Sequence, residues 1–345
     1  MDTVLQTHAS IPQQLTALLT GAGFCVLDSI GWIRVTGSDR VRWLNGMVTN
    51  SVQALTPGHG CYNFALNAQG RIRGIANVFA PAGDPDALLI ETSRSELSGL
   101  MAHLDHFIIM DDVELKDITS DRFGVLIAGP GAASAIEALA LPTPSELLSI
   151  ESAPWNGSEI AVIRAYSPLV DRFELWTAAD VAEPLQGALE ARCTWLEAEA
   201  LESLRILEGT PQYGTDIRDQ DKAHDLPQET ALAGTQSRAL HFSKGCYLGQ
   251  EIVERIRSRG SLHRTLSGFE LSGSLPLAGT VLLAEGKSAG ELTSVATIPL
   301  RTGAVSLALG YVRLDALERK KPLTYAGGIA VPVPLPYTPA FKGEN

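Results

Sequence analysis

From about Leu262 the chain is cut by Gly, Pro and Ser into short alternating segments, and this change of texture constrains the architecture most. "LSGFELS", "GTVLLAEG", "GELTSVAT", "SLALGYVRL" and "IAVPVPL" carry almost no helical periodicity. Runs with a period of two, bounded by turn residues, predict a small barrel of five to six strands over residues 262–345.

Residues 1–258 read differently. A helix is expected over Ile11–Leu19, a strand in "WIRVTG" (32–37), and a helix through "RVRWLNGMVTN" capped by Ser38 or Asp39. Residues 61–80 read as a hairpin turning at Asn67–Gly70, followed by the strand "ALLIET" and a helix over Ser95–His106. A strand–turn–helix unit around 123–140 precedes the strands "EIAVIRA" and "RFELWT" and a helix in "AADVAEPLQGALEAR". Strands mixed with helices, without strict βαβ alternation, favour α+β over a doubly wound sheet. The body is read as one folding region or two lobes with a break near 110–120.

At 345 residues the chain exceeds one small core, and 45% hydrophobic with 19% charged residues is an ordinary globular balance. The net charge of −12 argues against wholesale nucleic-acid binding, which needs a basic face. Only Arg255, Arg257, Arg259 and Arg264 concentrate positive charge; a solvated, salt-bridged helix surface is the default for such a run. The four cysteines, Cys25, Cys61, Cys193 and Cys246, match neither a zinc site nor a CxxC pair. No cationic leader opens the sequence and no apolar run is long enough for a membrane span. The expectation is a cytoplasmic monomer without a bound metal and without direct nucleic-acid contact.

"HFSKGCYLGQE" (241–251) carries the sharpest chemical signal. Ile252, Val253 and Ile256 form a helical stripe behind it, with Gln250, Glu251 and Glu254 in the early turns. Cys246 then precedes a helix N-terminus with Lys244 two residues away, and both features lower a thiol below its free value of roughly 8.5. Gly245 and Gly249 permit positive φ and close approach of a flat ligand. From the residues alone a second reading stands beside this one: a tight interdomain turn filled by a half-buried, inert cysteine.

"FSKGCYLGQE" resembles the K-G-C-Y-x-G-Q-E signature of the YgfZ-type folate-binding proteins, relatives of the glycine-cleavage aminomethyltransferase. "VTGSDRVRWLNGMVTN", "NFALNAQGRI", "LRILEGTPQYGTDI", "LPQET", "RG", "GELTS" and "LALGYV" follow in that superfamily's order. The resemblance implies a multi-lobed α+β aminomethyltransferase-like fold with a C-terminal barrel, a pocket for tetrahydrofolate or a derivative, and iron–sulfur client or scaffold proteins as partners. It implies support of iron–sulfur cluster assembly or repair, with an effect on tRNA modification, and makes Cys246 the working thiol with Lys244 and Tyr247 beside it. Trp32, Tyr62 and Tyr166 are candidate ring-stacking partners of the folate, and Arg205 and Glu208 candidate pterin contacts. The alternative the family offers is aminomethyl transfer to tetrahydrofolate.

Two departures from the family pattern stand out, the first weighing against transfer and the second bearing on the pterin contact. Where the transferases carry acids after the hairpin turn, this chain has Arg73 and Gly74, and no carboxylate occurs between Asp39 and Asp84. Asp111 and Asp112 are substitutes from another segment, though solvated acids beside a turn is the simpler reading. The relatives' R-x-E-A-G places its acid at Leu207, whereas here the acid is Glu208, turned by about 100° on a helix. His103, Asp105 and His106 read as a helix-end polar face in preference to a metal site.

Overall fold

The computed structural model describes residues 9–218, 226–260, 262–301, 303–320 and 322–338. After helix α1 (Ile11–Thr20), strands β1 (Gly23–Val26) and β2 (Ile30–Thr36) follow one another but enter different sheets. The chain then forms α2 (Arg40–Met47), the hairpin β3 (His59–Leu66) and β4 (Ile72–Ala80), β5 (Leu88–Ser93), α3 (Leu97–Asp105) and β6 (Glu114–Asp117). These strands make a five-stranded sheet of order β3-β4-β5-β2-β6.

The second sheet takes β7 (Phe123–Ala128), β8 (Ile150–Trp155), β9 (Ser158–Arg164), β10 (Arg172–Thr177) and β11 (Thr194–Trp195). Its order is β11-β1-β7-β10-β9-β8, with helices α4 (Ala132–Glu137) and α5 (Ala182–Glu190) in the connections. The two lobes are therefore not consecutive in sequence, because β1 is inserted beside β7 in the later sheet. Helix α6 (Ala198–Glu208) leads on to α7 (Thr235–Ala239) and α8 (Gln250–Arg259).

Strands β12 (Arg264–Gly273), β13 (Val281–Ala284), β14 (Lys287–Leu300), β15 (Gly303–Arg313), β16 (Leu323–Tyr325) and β17 (Gly328–Val333) close a barrel of order β12-β15-β14-β13-β16-β17, with α9 (Leu314–Glu318) following β15. Pairing of β12 with β17 removes the free edges that an open sheet would expose. The expected five to six strands are six, and the one the pattern did not reveal, β16, is only three residues long.

Register decides which side chains meet between the sheets. Tyr62 lies opposite Asn77, Asn77 opposite Glu91, and Glu91 opposite Trp32, so these four form one row across β3, β4, β5 and β2. Directly opposed residues share a face. That face meets the six-stranded sheet: the Trp32 and Trp176 rings stand edge to face with centroids 5.1 Å apart. One buried cluster unites Trp32, Phe79, Leu126, Ile163 and Trp176 with Leu15, Leu204 and the barrel residues Ile298 and Leu307. Body and barrel thus share a core.

The sequence reading carried the helix after Asp39 through residue 50. It ends at Met47, because Val48 turns extended and forms a bridge with Ala65 of the hairpin. Strands β6, β8 and β11 carry no clean alternation, which hid them; β8 is largely solvent-facing and β11 has two residues.

Candidate functional site

The KGCYLGQE loop joins α7 to α8 and is stitched onto the end of α2. The Leu248 amide donates to the Gly46 carbonyl at 3.0 Å and the His241 amide to that of Thr49 at 3.2 Å. Lys244 Nζ reaches the carbonyl oxygens of Asn45, Val48 and Asn50 at 2.6, 2.7 and 2.6 Å. An ammonium has three donors, so all are used. Burial lowers Lys244 to about 8, offset in part by Cys61. The expected pairing of the lysine charge with Cys246 is corrected by this cage: the cation holds the loop to the exposed carbonyls at the α2 terminus.

The two motif glycines have different duties. Gly249 has φ +82°, and a Cβ there would stand 2.6 Å from the Asn67 carbonyl oxygen. Its partner across the gap, Gly70, has φ +70°, with Ile252 Cβ at 2.7 Å from a would-be Cβ. These positions serve a backbone-to-backbone contact between the cysteine loop and the hairpin turn. A Cβ on Gly245, by contrast, would meet nothing within 4 Å. Gln250 Oε1 accepts from the Tyr247 amide at 3.3 Å, and Glu251 is exposed on the first turn of α8.

Cys246 is exposed, whereas Cys25 and Cys193 are buried and Cys61 is half-buried. Loss of hydration pushes Cys25 up to about 12 and Cys61 and Cys193 up to about 11. Asn63 Nδ2 contacts Cys61 Sγ at 3.2 Å, and Lys244 faces that sulfur.

Three expected ligand contacts belong to the framework. Trp32 is only 1% exposed, its ring covered by Arg122 at 4.1 Å, Trp176 and Phe79, leaving no face for a pterin. Tyr247 packs in a buried cluster with Phe64, Leu66 and Val253, and burial raises its hydroxyl to about 12. Arg205 has spent all five donors: two on Glu202, and the others on the Thr210 carbonyl, Asp216 and Ser294, each at 2.6–2.7 Å. It clamps α6 to the barrel.

The remaining candidates converge on a residue the sequence reading passed over. The Arg238 guanidinium lies 3.5 Å from the Tyr166 ring centroid and 4.5 Å from that of Tyr62, and its Nε is buried without a hydrogen-bond partner. No carboxylate pairs with it among the described residues, and burial depresses its basicity. Tyr166 donates to the Ala233 carbonyl at 2.6 Å. The next residue, Ser167, donates to Glu208, whose carboxyl burial pushes up. Glu208 at the end of α6 is thus tied to the chain neighbour of Tyr166, while Tyr62, Tyr166 and Arg238 stack on one another. Arg238 was hidden in sequence because its segment, "TQSRALHF", carries neither periodicity nor a motif.

Other sequence signals resolve locally. Asp111 pairs with Arg42, and Asp112 accepts from Ser38, whose hydrogen bonds hold its carboxyl low. His103 and His106 line an open hollow of about 530 Å³ with Asn67, Arg73 and Phe107. In the basic run, Arg264 leaves the strip to bind Glu229 at 3.0 Å, while Arg257 stacks on Phe242 at 4.1 Å.

An antiparallel five-stranded sheet facing a six-stranded sheet with one parallel pair, and a closed barrel docked on them, make an aminomethyltransferase-like fold. The aminomethyltransferase T of the glycine cleavage system from Bartonella henselae shares it, with a TM-score of 0.81 at 20% identity over 95% of this chain and 90% of that one. The chain belongs to the GCVT family: residues 5–233 match the GCVT N-terminal domain, and 264–338 match the CAF17 C-terminal β-barrel domain. It is 26% identical to the aminomethyltransferase of Thermus thermophilus over 341 residues, 96% of this chain and 91% of that protein. It is also 26% identical to the tRNA-modifying protein YgfZ of Yersinia pestis over 256 residues, 73% and 72% of the two lengths. The likeness read from KGCYLGQE agrees with these matches. No helix among the described residues is long and apolar enough to cross a membrane.

Proposed function

We propose that this protein binds tetrahydrofolate or a derivative and acts as an accessory factor in iron–sulfur cluster assembly or repair, affecting tRNA modification through that role. The observation that carries the ligand assignment is Arg238: a half-buried cation stacked on two tyrosine rings, its Nε buried without a hydrogen-bond partner, and without a carboxylate partner among the described residues. A buried charge left unpaired is costly, so a wall of this kind favours an anionic, ring-bearing ligand. Folate supplies both characters. Tyr62 and Tyr166 offer aromatic edges, Glu208 an acceptor for ring amino groups, and Arg238 a partner for a carboxylate.

Cys246 supports the second half of the reading, because it is the exposed thiol of the set and its loop is held rigidly by Lys244. Isothermal calorimetry with tetrahydrofolate tests the ligand: Arg238→Met should weaken binding at least tenfold while Cys246→Ser leaves it unchanged. Complementation of a strain deficient in iron–sulfur enzymes tests the thiol, and full rescue by Cys246→Ser would remove it from the mechanism.

Aminomethyl transfer is a second reading, supported by the likeness to aminomethyltransferases along nearly the whole chain. Against it stands the hairpin turn, where Arg73 and Gly74 replace the acids of the transfer step and Arg73 faces a hollow with His103 and His106. An arginine cannot act as a general base near neutral pH. A reconstituted glycine-cleavage assay that forms methylene-tetrahydrofolate only when this protein is present would restore the transferase reading.

A further inference from the structure

The outer face of the five-stranded sheet carries a hollow that the folate reading does not use. Helix α3 packs Leu97, Leu100 and Leu104 on Ile33, Ala76, Val78 and Ile90. These sheet residues alternate with Trp32, Asn77 and Glu91, so α3 covers the face turned away from the second sheet. The open hollow of about 530 Å³ lies between α3 and the β3–β4 hairpin, with Asn67, Arg73, Ala102, His103, His106 and Phe107 in its lining.

Arg73 holds its place through an irregularity in the hairpin. Ala65 pairs with Gly74 and Leu66 with Ile72, which leaves Arg73 as the extra residue of a β-bulge. Such a bulge re-aims the side chain it carries. The two histidines come from the last turn of α3 and its cap, three positions apart and so on one side of the helix. Carbonyl groups at a helix C-terminus favour cationic imidazoles. Asn67 Oδ1 already accepts from the Gln69 and Arg71 amides, each at 3.0 Å, so its remaining offer to a ligand is the Nδ2 donor. Among the described residues, none that lines the hollow is acidic. Residues 59–80 contain no Asp or Glu, and the one carboxylate within α3, Asp105, is exposed.

We propose that this hollow binds the phosphate group of a small organic phosphate, with Arg73, His103 and His106 donating to its oxygens and the apolar lining taking the rest of the molecule.

Donors arriving from a strand and from a helix suit a tetrahedral group better than a planar carboxylate laid against one guanidinium. The hollow exceeds a single oxyanion, and Ala102 and Phe107 supply apolar surface for an uncharged remainder. His103 adds a proton to the account. Its Nε2 lies 3.1 Å from the Leu66 carbonyl oxygen, which only accepts, so the ring hydrogen is on Nε2 and Nδ1 donates only once the ring is protonated. Occupation by a phosphate therefore draws a proton onto His103. The other charged or titratable groups on the two elements are His59, Cys61, Tyr62 and Arg71 on the hairpin and Asp105 on α3.

The test uses the full chain and follows the imidazole NMR signals of His103 and His106, assigned from His103→Gln and His106→Gln. Glycerol phosphate, adenosine monophosphate and inorganic phosphate are titrated at constant ionic strength. Both imidazoles should shift saturably, with a dissociation constant under about 1 mM for at least one organic phosphate. Arg73→Gln should weaken that binding about tenfold, as expected for one lost hydrogen bond to a charged group. His106 is exposed, so His106→Gln serves as the second variant should Arg73→Gln fail to fold. Calorimetry with sulfate, an oxyanion that does not titrate near neutral pH, in two buffers of different ionisation heat should show proton uptake that His103→Gln loses. Equal affinity for inorganic phosphate would overturn the organic half of the assignment. Shifts that do not saturate, or binding unchanged in the variants that fold, would overturn the site itself.

Discussion

The Lys244 ammonium and the Asn45 carbonyl oxygen, 199 positions apart in the chain, stand 2.6 Å apart in the fold. Two more carbonyls, of Val48 and Asn50, complete the cage. Replacing the lysine orphans acceptors at the α2 terminus, and hydrogen bonds to charged groups contribute roughly 1.5–3 kcal/mol each. With partial rehydration, Lys244→Met should cost about 3 kcal/mol in urea unfolding and speed modification of Cys246. Lys244→Arg should recover little, because a planar fork does not match three carbonyls set around a point charge. A loss under about 1 kcal/mol for Lys244→Met would show that the cage contributes nothing net.

Arg205 and Asp216 tie the body to the barrel. Asp216 is fully buried and accepts from Arg205 Nη1 at 2.6 Å, Thr293 at 2.5 Å and Ser294 at 2.7 Å, the last two on β14. Removing one partner of a buried pair costs roughly 3–5 kcal/mol, since the other charge stays stranded. Arg205→Met should therefore destabilise the chain by about that amount, and adding Asp216→Asn should return part of the loss. Chemical denaturation of the two single variants and the double variant gives the coupling directly. Additive losses would mean that the two side chains act independently.

How far the sequence announces this architecture depends on the scale of the signal. The barrel was legible because its strands alternate and are punctuated by Gly and Pro, and the hairpin because Asn67–Gly70 is turn chemistry. β1 entering the later sheet was not legible, since "GFCV" is four apolar residues without periodicity and its partners are set by tertiary packing. The same contrast holds in the site. Cys246 and Glu208 stood out by motif, and Arg238 did not, because what makes it notable is the pair of rings around it and the lack of a carboxylate partner among the described residues. Trp32, Tyr247 and Arg205 were misread for a related reason: residue type announces a capacity to stack or donate, and only packing shows that Trp32 is already covered and Arg205 already saturated.

Gly249 offers a sharper steric test. Its φ of +82° disfavours any side chain, and an added Cβ would collide with the Asn67 carbonyl oxygen at 2.6 Å and Gly70 Cα at 3.0 Å. Left-handed backbone costs a non-glycine residue about 1–2 kcal/mol, and rigid backbone atoms on both sides add to this. Gly249→Ala should lose about 3 kcal/mol or displace the cysteine loop from the hairpin turn. Gly245→Ala, with open space around its Cβ, should leave unfolding within about 0.5 kcal/mol of wild type. Equal losses for both variants would contradict the division of duties between the two glycines.

Thiol accessibility separates Cys246 from its companions without assuming any reaction. Attack on a disulfide reagent requires a thiolate that the reagent can reach. Burial raises Cys25 to about 12 and Cys61 and Cys193 to about 11, so each is almost wholly protonated near neutral pH as well as shielded. Native protein treated with an aromatic disulfide near pH 8 should therefore release one equivalent of thiolate quickly. The other three of the four should appear only on unfolding. Cys246→Ser should abolish the fast phase and leave stability within about 0.5 kcal/mol, because an exposed loop side chain makes little packing contribution. If the variant keeps a fast phase, or loses several kcal/mol, the sulfur is a structural element of the loop and the proposed role for it fails.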